Sequence, residues 1–314
     1  MNAKTPSRAD TLTAPAEPRF RVTNYALLLK PRVMSLVVFT AAVGMFLAPG
    51  SFTAIDPAVA IIAVLCIAVG AGASGAINMW YDRDIDLHML RTRNRPLPAG
   101  RLVPEEALAF GVFLSIGSVA AMAQWVNALS SILLAATILY YVFIYTVWLK
   151  RRTPHNIVIG GASGALPPVI GWAAVTGDVG FDAFLLFAII FLWTPPHTWA
   201  LALFRRGDYE AAGVPMLPVV AGERETKRQM LIYTAILIPV TLLPVVTGMA
   251  GAVYAIATIA LSVGLARHAW RVWTDDSGAD GGKTARPMFF FTILYLFLIF
   301  AALLADKVLF LPVL

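Results

Sequence analysis

Asn78, Asp82 and Asp86 recur every four residues at the end of a long apolar run, so a helix would set their side chains along one face. Arg91, Arg93 and Arg95 follow directly. Carboxylates grip a hard divalent cation through oxygen, and guanidinium forks take phosphate oxygens. The stretch from Asn78 to Arg101 therefore has the make-up of a site for a Mg²⁺-bound polyphosphate. Asp84 falls on the other face, where Arg83 and His88 offer an ordinary solvated ion pair. A second charged segment, Arg205 to Pro218, carries Asp208 and Glu210 and could add one more acid. Its spacing is weaker, because Ala212 stands four residues after Asp208.

The elements that must position these groups are membrane helices. Of 314 residues, 59% are hydrophobic and 13% charged, and the mean hydropathy is +0.76. That composition excludes an ordinary soluble domain. Apolar runs at 32–50, 57–80, 106–124, 129–148, 156–176, 183–204, 230–249, 251–271 and 288–310 give nine expected spans. The fold expected is all-α and polytopic, nine transmembrane helices around a central cavity. Residues 31–310 form its domain, and residues 1–30 are expected to be a disordered cytoplasmic tail. That tail shows no apolar signal-peptide core and only a poor transit-peptide pattern, which favours a bacterial plasma membrane over a mitochondrial one.

Net charge is +6, but the basic residues do not describe a nucleic-acid surface. The N-terminal segment and the even-numbered connections hold 23 of the 24 lysines and arginines, and the short odd-numbered ones carry Asp56, Asp178 and Asp182. This alternation places the N-terminus and both charged segments on the cytoplasmic side. The single cysteine, Cys66, lies within an apolar run and excludes an intramolecular disulfide or a multi-cysteine metal site.

Prolines and small residues punctuate several spans: Gly160, Gly161 and Gly164, Pro167–Pro168, and Pro195–Pro196 just before His197. Close helix packing and kinks account for most such positions. His197, in WTPPHTWALAL, is either a packing residue or a group near an iron or a developing cation.

The stretch NMWYDRDIDLHMLRTRNRPLPAG resembles the first aspartate-rich motif of the intramembrane prenyltransferases. NIVIGGASGALPPVIGW (156–172), WTPPHTWALAL (193–203) and DYEAAGVPMLPV (208–219) resemble, in the same order, the branch of that family that farnesylates protohaem IX. The resemblance covers residues 22 to 310. It implies that Asn78, Asp82, Asp86 and Asp208 hold Mg²⁺ with a diphosphate, and that Arg91 and Arg95 join them in ionising it. Arg83, Arg93, Tyr145, Lys150, Arg151, His197 and Tyr209 are then candidates for substrate contact. Tyr145 and Lys150 stand one residue further apart than the superfamily pattern, and the second motif has one aspartate where others have two. Implied substrates are farnesyl diphosphate and haem b, the haem serving as substrate and not as a resident cofactor. A haem A synthase or an oxidase assembly partner is implied downstream. A different acceptor, such as a quinone precursor or chlorophyll-type pigment, and a non-catalytic haem-binding or transport protein are the alternatives. Trp80, Tyr81, Tyr141, Tyr145, Trp193 and Trp199 are aromatics that could wall a dry cavity, the alternative being the interfacial belts to which most membrane aromatics belong.

Overall fold

Apolar runs become helices where helix-start chemistry bounds them. Proline opens α2 (Pro31–Leu47), α3 (Pro57–Tyr81) and α5 (Pro104–Trp125), at positions whose N–H would have no intrahelical partner. Asp56 caps α3 by accepting from the Ala58 N–H at 2.7 Å. Asn127 caps α6 (Ala128–Leu139) by accepting from the Ser130 N–H at 2.8 Å, and its amide donates across to the Ala173 carbonyl at 2.9 Å. The computed structural model describes residues 21–51, 55–276 and 282–309, and every regular element among them is helical.

Beyond α6 the chain continues as a π-helix, Tyr140–Leu149, and then as α7 (Asn156–Ala165) and α8 (Pro167–Thr176), which meet at the expected proline break. α9 (Phe181–Phe204) runs through Pro195 and Pro196 without ending. The second charged segment forms short α10 (Arg206–Ala211) and α11 (Leu217–Val220) before α12 (Gly222–Val246), α13 (Ala252–Thr274) and α14 (Gly282–Leu309). Eight helical stretches are long and apolar enough to cross a membrane among the described residues. The pair α1 (Val22–Leu28) and α2, bent by 54°, makes a ninth if it is one span. α12 starts eight residues before its expected span, because the charged GERETKR run is helical as well as the apolar run that follows.

The expected disordered tail needs correction at its inner end. Residues 1–20 lie outside the described residues, but Val22–Leu28 is helix. Leu28 is fully buried against Ala76, Met79 and Leu97, and the Tyr25 hydroxyl donates to Glu106 at 2.8 Å. Those contacts supply what a lone seven-residue helix lacks for stability.

The long helices close a ring. α2 packs on α3 and α8, α3 on α5, α6 on α5 and the π-helix, α7 on the π-helix and α9, and α14 on both α9 and α2. α12 packs on α9 and α13, and α13 on α14. In lipid, such packing depends on backbones approaching closely. A Cβ at Gly171 would sit 2.1 Å from the Ala41 carbonyl oxygen, so α8 meets α2 at a distance that only glycine permits. Cys66 is buried among α2 and α3 side chains as a packing residue.

Candidate active site

The acidic row survives a helix boundary. α3 stops at Tyr81, Asp82 is its cap, and a four-residue helix, α4 (Arg83–Asp86), follows. The Asp82 N–H still donates to the Asn78 carbonyl at 2.9 Å and the Asp86 N–H to the Asp82 carbonyl at 2.9 Å. The four-residue repeat is therefore kept, and all three side chains are buried, Asp82 at 0% exposure and Asp86 at 1%. Asp84 leaves the row, as the spacing predicts. Its partner is Arg151, which grips it with two bonds of 2.7 Å, and not Arg83 or His88. That guanidinium holds the Asp84 carboxyl below its ordinary range.

Cations approach the row from three other elements. Lys150 donates to Asp82 Oδ2, Arg151 stands 3.6 Å from Asp82 Oδ1, and Arg95 donates to Asp86 Oδ2 at 2.7 Å. Asn78 donates to Asp82 Oδ2 at 2.7 Å and to the Thr146 hydroxyl at 3.1 Å. Its carbonyl oxygen accepts from Lys30 Nζ at 2.8 Å. These bonds leave Asp82 Oδ1 and Asp86 Oδ1 buried with no hydrogen-bond donor among the described residues. A buried ion pair stabilises only when its remaining lone pairs are satisfied. Two half-satisfied carboxylates side by side serve something other than stability.

The π-helix explains the long Tyr145–Lys150 spacing. The Lys150 N–H donates to the Tyr145 carbonyl at 2.9 Å, an i to i+5 bond, and the Thr146 hydroxyl reaches back to the Tyr141 carbonyl at 2.9 Å. The extra residue is absorbed in the wider turn, and Tyr145 and Lys150 line the same cavity. Gly160 makes room for it: a Cβ there would fall 2.2 Å from Tyr145 Cδ2.

That cavity has a volume of about 350 Å³. Its charged end holds Lys30, Asn78, Asp86, Arg91, Arg95 and Lys150, and its depth is walled by apolar side chains such as Val37, Ile67, Leu134, Ile138 and Ile170. Tyr141, Tyr145 and Tyr209 supply the aromatic surface, with the first two rings 5.3 Å apart. The other expected aromatics are elsewhere. Trp80 carries Arg83, Tyr81 carries Arg151, Trp193 donates to the Thr292 carbonyl at 2.7 Å, and Trp199 packs edge-on to Tyr233.

Among the remaining sequence candidates, Asp208 docks the second charged segment onto the first by accepting from the Leu90 N–H at 3.4 Å, and its Oδ2 has no donor among the described residues. It does not line the cavity, whereas its neighbour Tyr209 does. Arg83 and Arg93 are exposed and also lie off the cavity. His197 is placed between α9 and α14, stacked on Trp193 at 4.3 Å and Phe289 at 4.7 Å and bonded to the Thr292 hydroxyl at 2.8 Å. Thr198 and Leu201 of the same helix reach the cavity, but His197 does not. Lys30 and Thr146 belong to the site without having been singled out from the sequence. For Lys30 the available signal was a lysine set directly before the proline that opens a span.

The residues fit a divalent cation that arrives with its anion. No group of three His, Cys, Asp or Glu among the described residues could hold a metal unaided. Mg²⁺ is commonly held by one or two carboxylates plus substrate phosphate oxygens, and the free oxygens of Asp82 and Asp86 are donors of that kind. With Lys30, Lys150, Arg91 and Arg95 around them, the chemistry available is stabilisation of charge on a departing diphosphate above a mostly apolar chamber.

A bundle of this form, with such a site at one end of its cavity, defines the class of intramembrane prenyl-transferring enzymes. The UbiA prenyltransferase family profile matches residues 37–294, and the chain belongs to that family. It is 57% identical over 303 residues to a protoheme IX farnesyltransferase of Parvibaculum lavamentivorans, covering 96% of this chain and 94% of that protein. It is 55% identical over 287 residues to a protoheme IX farnesyltransferase of Brucella ovis, covering 91% of each. In fold it is similar to a digeranylgeranylglyceryl phosphate synthase structure, at a TM-score of 0.74 and 17% identity over 91% of this chain and 98% of that one. It is also similar to a UbiA homolog from Archaeoglobus fulgidus bound to GPP and Mg²⁺, at a TM-score of 0.61 and 18% identity over 89% and 99%.

Proposed function

We propose that this enzyme transfers the farnesyl group of farnesyl diphosphate to a vinyl group of haem b in a Mg²⁺-dependent reaction, giving haem O for haem-copper oxidases. The acceptor follows from the names of relatives at 55–57% identity. The reaction type rests on one observation: two fully buried carboxylates with free oxygens, ringed by lysines and arginines, of which Asp86 lines the charged end of an apolar cavity and Asp82 lies behind it, bonded to the lining residues Asn78 and Lys150.

In this reading Asp82 and Asp86 hold Mg²⁺, with Asn78 beside them and Asp208 offering a further oxygen from the second segment. When bound, the ion neutralises charge that develops on the leaving diphosphate. Lys150, Arg91 and Arg95 hold phosphate oxygens, and Arg95 gives up part of its grip on Asp86 to do so. Tyr145 and Tyr141 present ring faces to the allylic carbon as its bond to oxygen lengthens, an arrangement that favours developing positive charge. The apolar wall keeps bulk water from the farnesyl cation until the vinyl group attacks, and water then adds to the haem side chain. Tyr209, which lines the cavity, and Arg151, beside Asp82, are assigned supporting roles at the site, whereas Arg83, Arg93 and His197 lie off the cavity and are assigned none. The charged end faces the cytoplasm of a bacterial plasma membrane, a reading supported by the basic-residue distribution.

Detergent-purified protein given haem b, farnesyl diphosphate and Mg²⁺ should yield a haem heavier by a farnesyl group plus a hydroxyl, the added water having lost a proton. Mass spectrometry that finds only unmodified haem, under conditions where the protein is folded, would overturn the assignment.

A further inference from the structure

The α1–α2 junction delivers a cation into the site from an unusual backbone position. Lys30 is the one non-glycine residue with positive φ among the described residues, at 52°, and Pro31 follows it as the first residue of α2. A residue before proline is normally pushed to extended geometry, so this conformation is held in place by what surrounds it. The surroundings are specific. The lysine stem crosses Gly75, where a Cβ would stand 3.4 Å from Lys30 Cδ and 3.6 Å from Cε, and Nζ ends 2.8 Å from Asn78 Oδ1.

That bond fixes the Asn78 amide. An ammonium only donates, so the atom it meets must be the amide oxygen, and the NH₂ must face Asp82 and Thr146. In this state one lone pair of the Asn78 oxygen is taken, and the ammonium beside it repels a metal cation. The same holds for half of Asp82, whose Oδ2 takes bonds from both Lys150 and Asn78. Resident lysines thus occupy acceptor atoms of the acidic row.

We propose that Lys30 is a positioning residue that holds the Asn78 carbonyl oxygen in the substrate-free protein and gives it up when a diphosphate arrives to take the ammonium. The inference rests on the diphosphate site proposed above. Lys30 exchanges a neutral acceptor for a charged one, a stronger bond for the same donor, and Asn78 is then free to turn its oxygen to the cation. Divalent metal without diphosphate meets only the free oxygens of Asp82 and Asp86, with the ammoniums of Lys30 and Lys150 beside them to repel it, so metal and diphosphate bind as a coupled pair.

The test is metal binding by the full chain in detergent, with Mn²⁺ as the spectroscopic probe and inorganic pyrophosphate as the anion. In the wild-type protein, pyrophosphate should tighten Mn²⁺ binding by about tenfold or more. Lys30→Met should bind Mn²⁺ alone several-fold tighter, and should lose most of the tightening by pyrophosphate. Lys30→Arg should restore the coupling. Unchanged Mn²⁺ affinity and unchanged coupling in Lys30→Met would overturn the role of Lys30. So would an equal weakening with and without pyrophosphate, the mark of a merely structural residue. If the methionine variant does not fold, Lys30→Gln keeps a neutral donor for Asn78, and undiminished coupling there overturns the proposal. Wild-type protein whose Mn²⁺ binding ignores pyrophosphate would overturn the diphosphate reading itself.

Discussion

Two polar intrusions into the apolar bundle, the acidic row across the α3–α4 junction and His197 of α9, have opposite fates. Each breaks a long hydrophobic run, and each would be costly in lipid if left alone. His197 is sandwiched between two rings and bonded to Thr292, and none of its atoms is left buried without a partner among the described residues. Asp82 and Asp86 each keep a buried oxygen that nothing donates to among the described residues, although four cationic side chains stand around the row. Cost without local satisfaction marks the place where a ligand completes the structure. Cost with satisfaction marks packing.

The largest effect that contrast predicts is at Asp82. Asp82→Asn keeps the shape and removes the charge that faces Lys150, and should lower farnesyl transfer by about 1,000-fold or more while the protein stays folded. Activity within tenfold of wild type would erase the distinction between the two intrusions. Lys150→Met should cost about 100-fold, expressed in both kcat and kcat/KM because the grip on diphosphate tightens as the bond breaks. Gly160→Ala should cost about 10-fold or more by displacing the Tyr145 ring, with no charge altered. His197→Phe keeps the stack and should lose about 1 kcal/mol of stability with the Thr292 bond, while turnover stays at the wild-type level. A collapse of turnover in a folded His197→Phe protein would move that histidine to the reacting groups.

The smallest effect concerns Asp84, the acid that left the row. Its folded carboxyl is depressed by Arg151, so the pair stabilises fully above the ordinary aspartate range and fades as pH falls through it. Because Asp84 is 60% exposed, solvent screens most of that gain. Thermal melts of Asp84→Asn should differ slightly from wild type at neutral pH and converge below about pH 4.

Much of this was legible in the chain. Hydropathy located the spans to within a few residues where an apolar run and its helix coincide, as at 57–80 against Pro57–Tyr81. It missed the start of α12 because hydropathy reports membrane depth, and GERETKR is helix outside that depth. It missed α1 because seven mixed residues have no periodicity long enough to read. The four-residue repeat located the acidic row, since one face of a helix is a local property. The cations that meet it were harder. Lys30 comes from a span 48 residues away in sequence, and Lys150 from a π-turn that composition does not announce. Their placement is tertiary: the family resemblance had marked Lys150, and no motif in the chain had marked Lys30.

The central claim is that the half-satisfied acids at the charged end ionise a prenyl diphosphate. Release of diphosphate from farnesyl diphosphate in the presence of haem b, measured with and without Mg²⁺ on wild-type, Asp82→Asn and His197→Phe proteins of matched folding, tests it most directly. The account predicts Mg²⁺-dependent release by wild type and His197→Phe and none above background by Asp82→Asn. Release that ignores Mg²⁺, or that survives in Asp82→Asn, would contradict it.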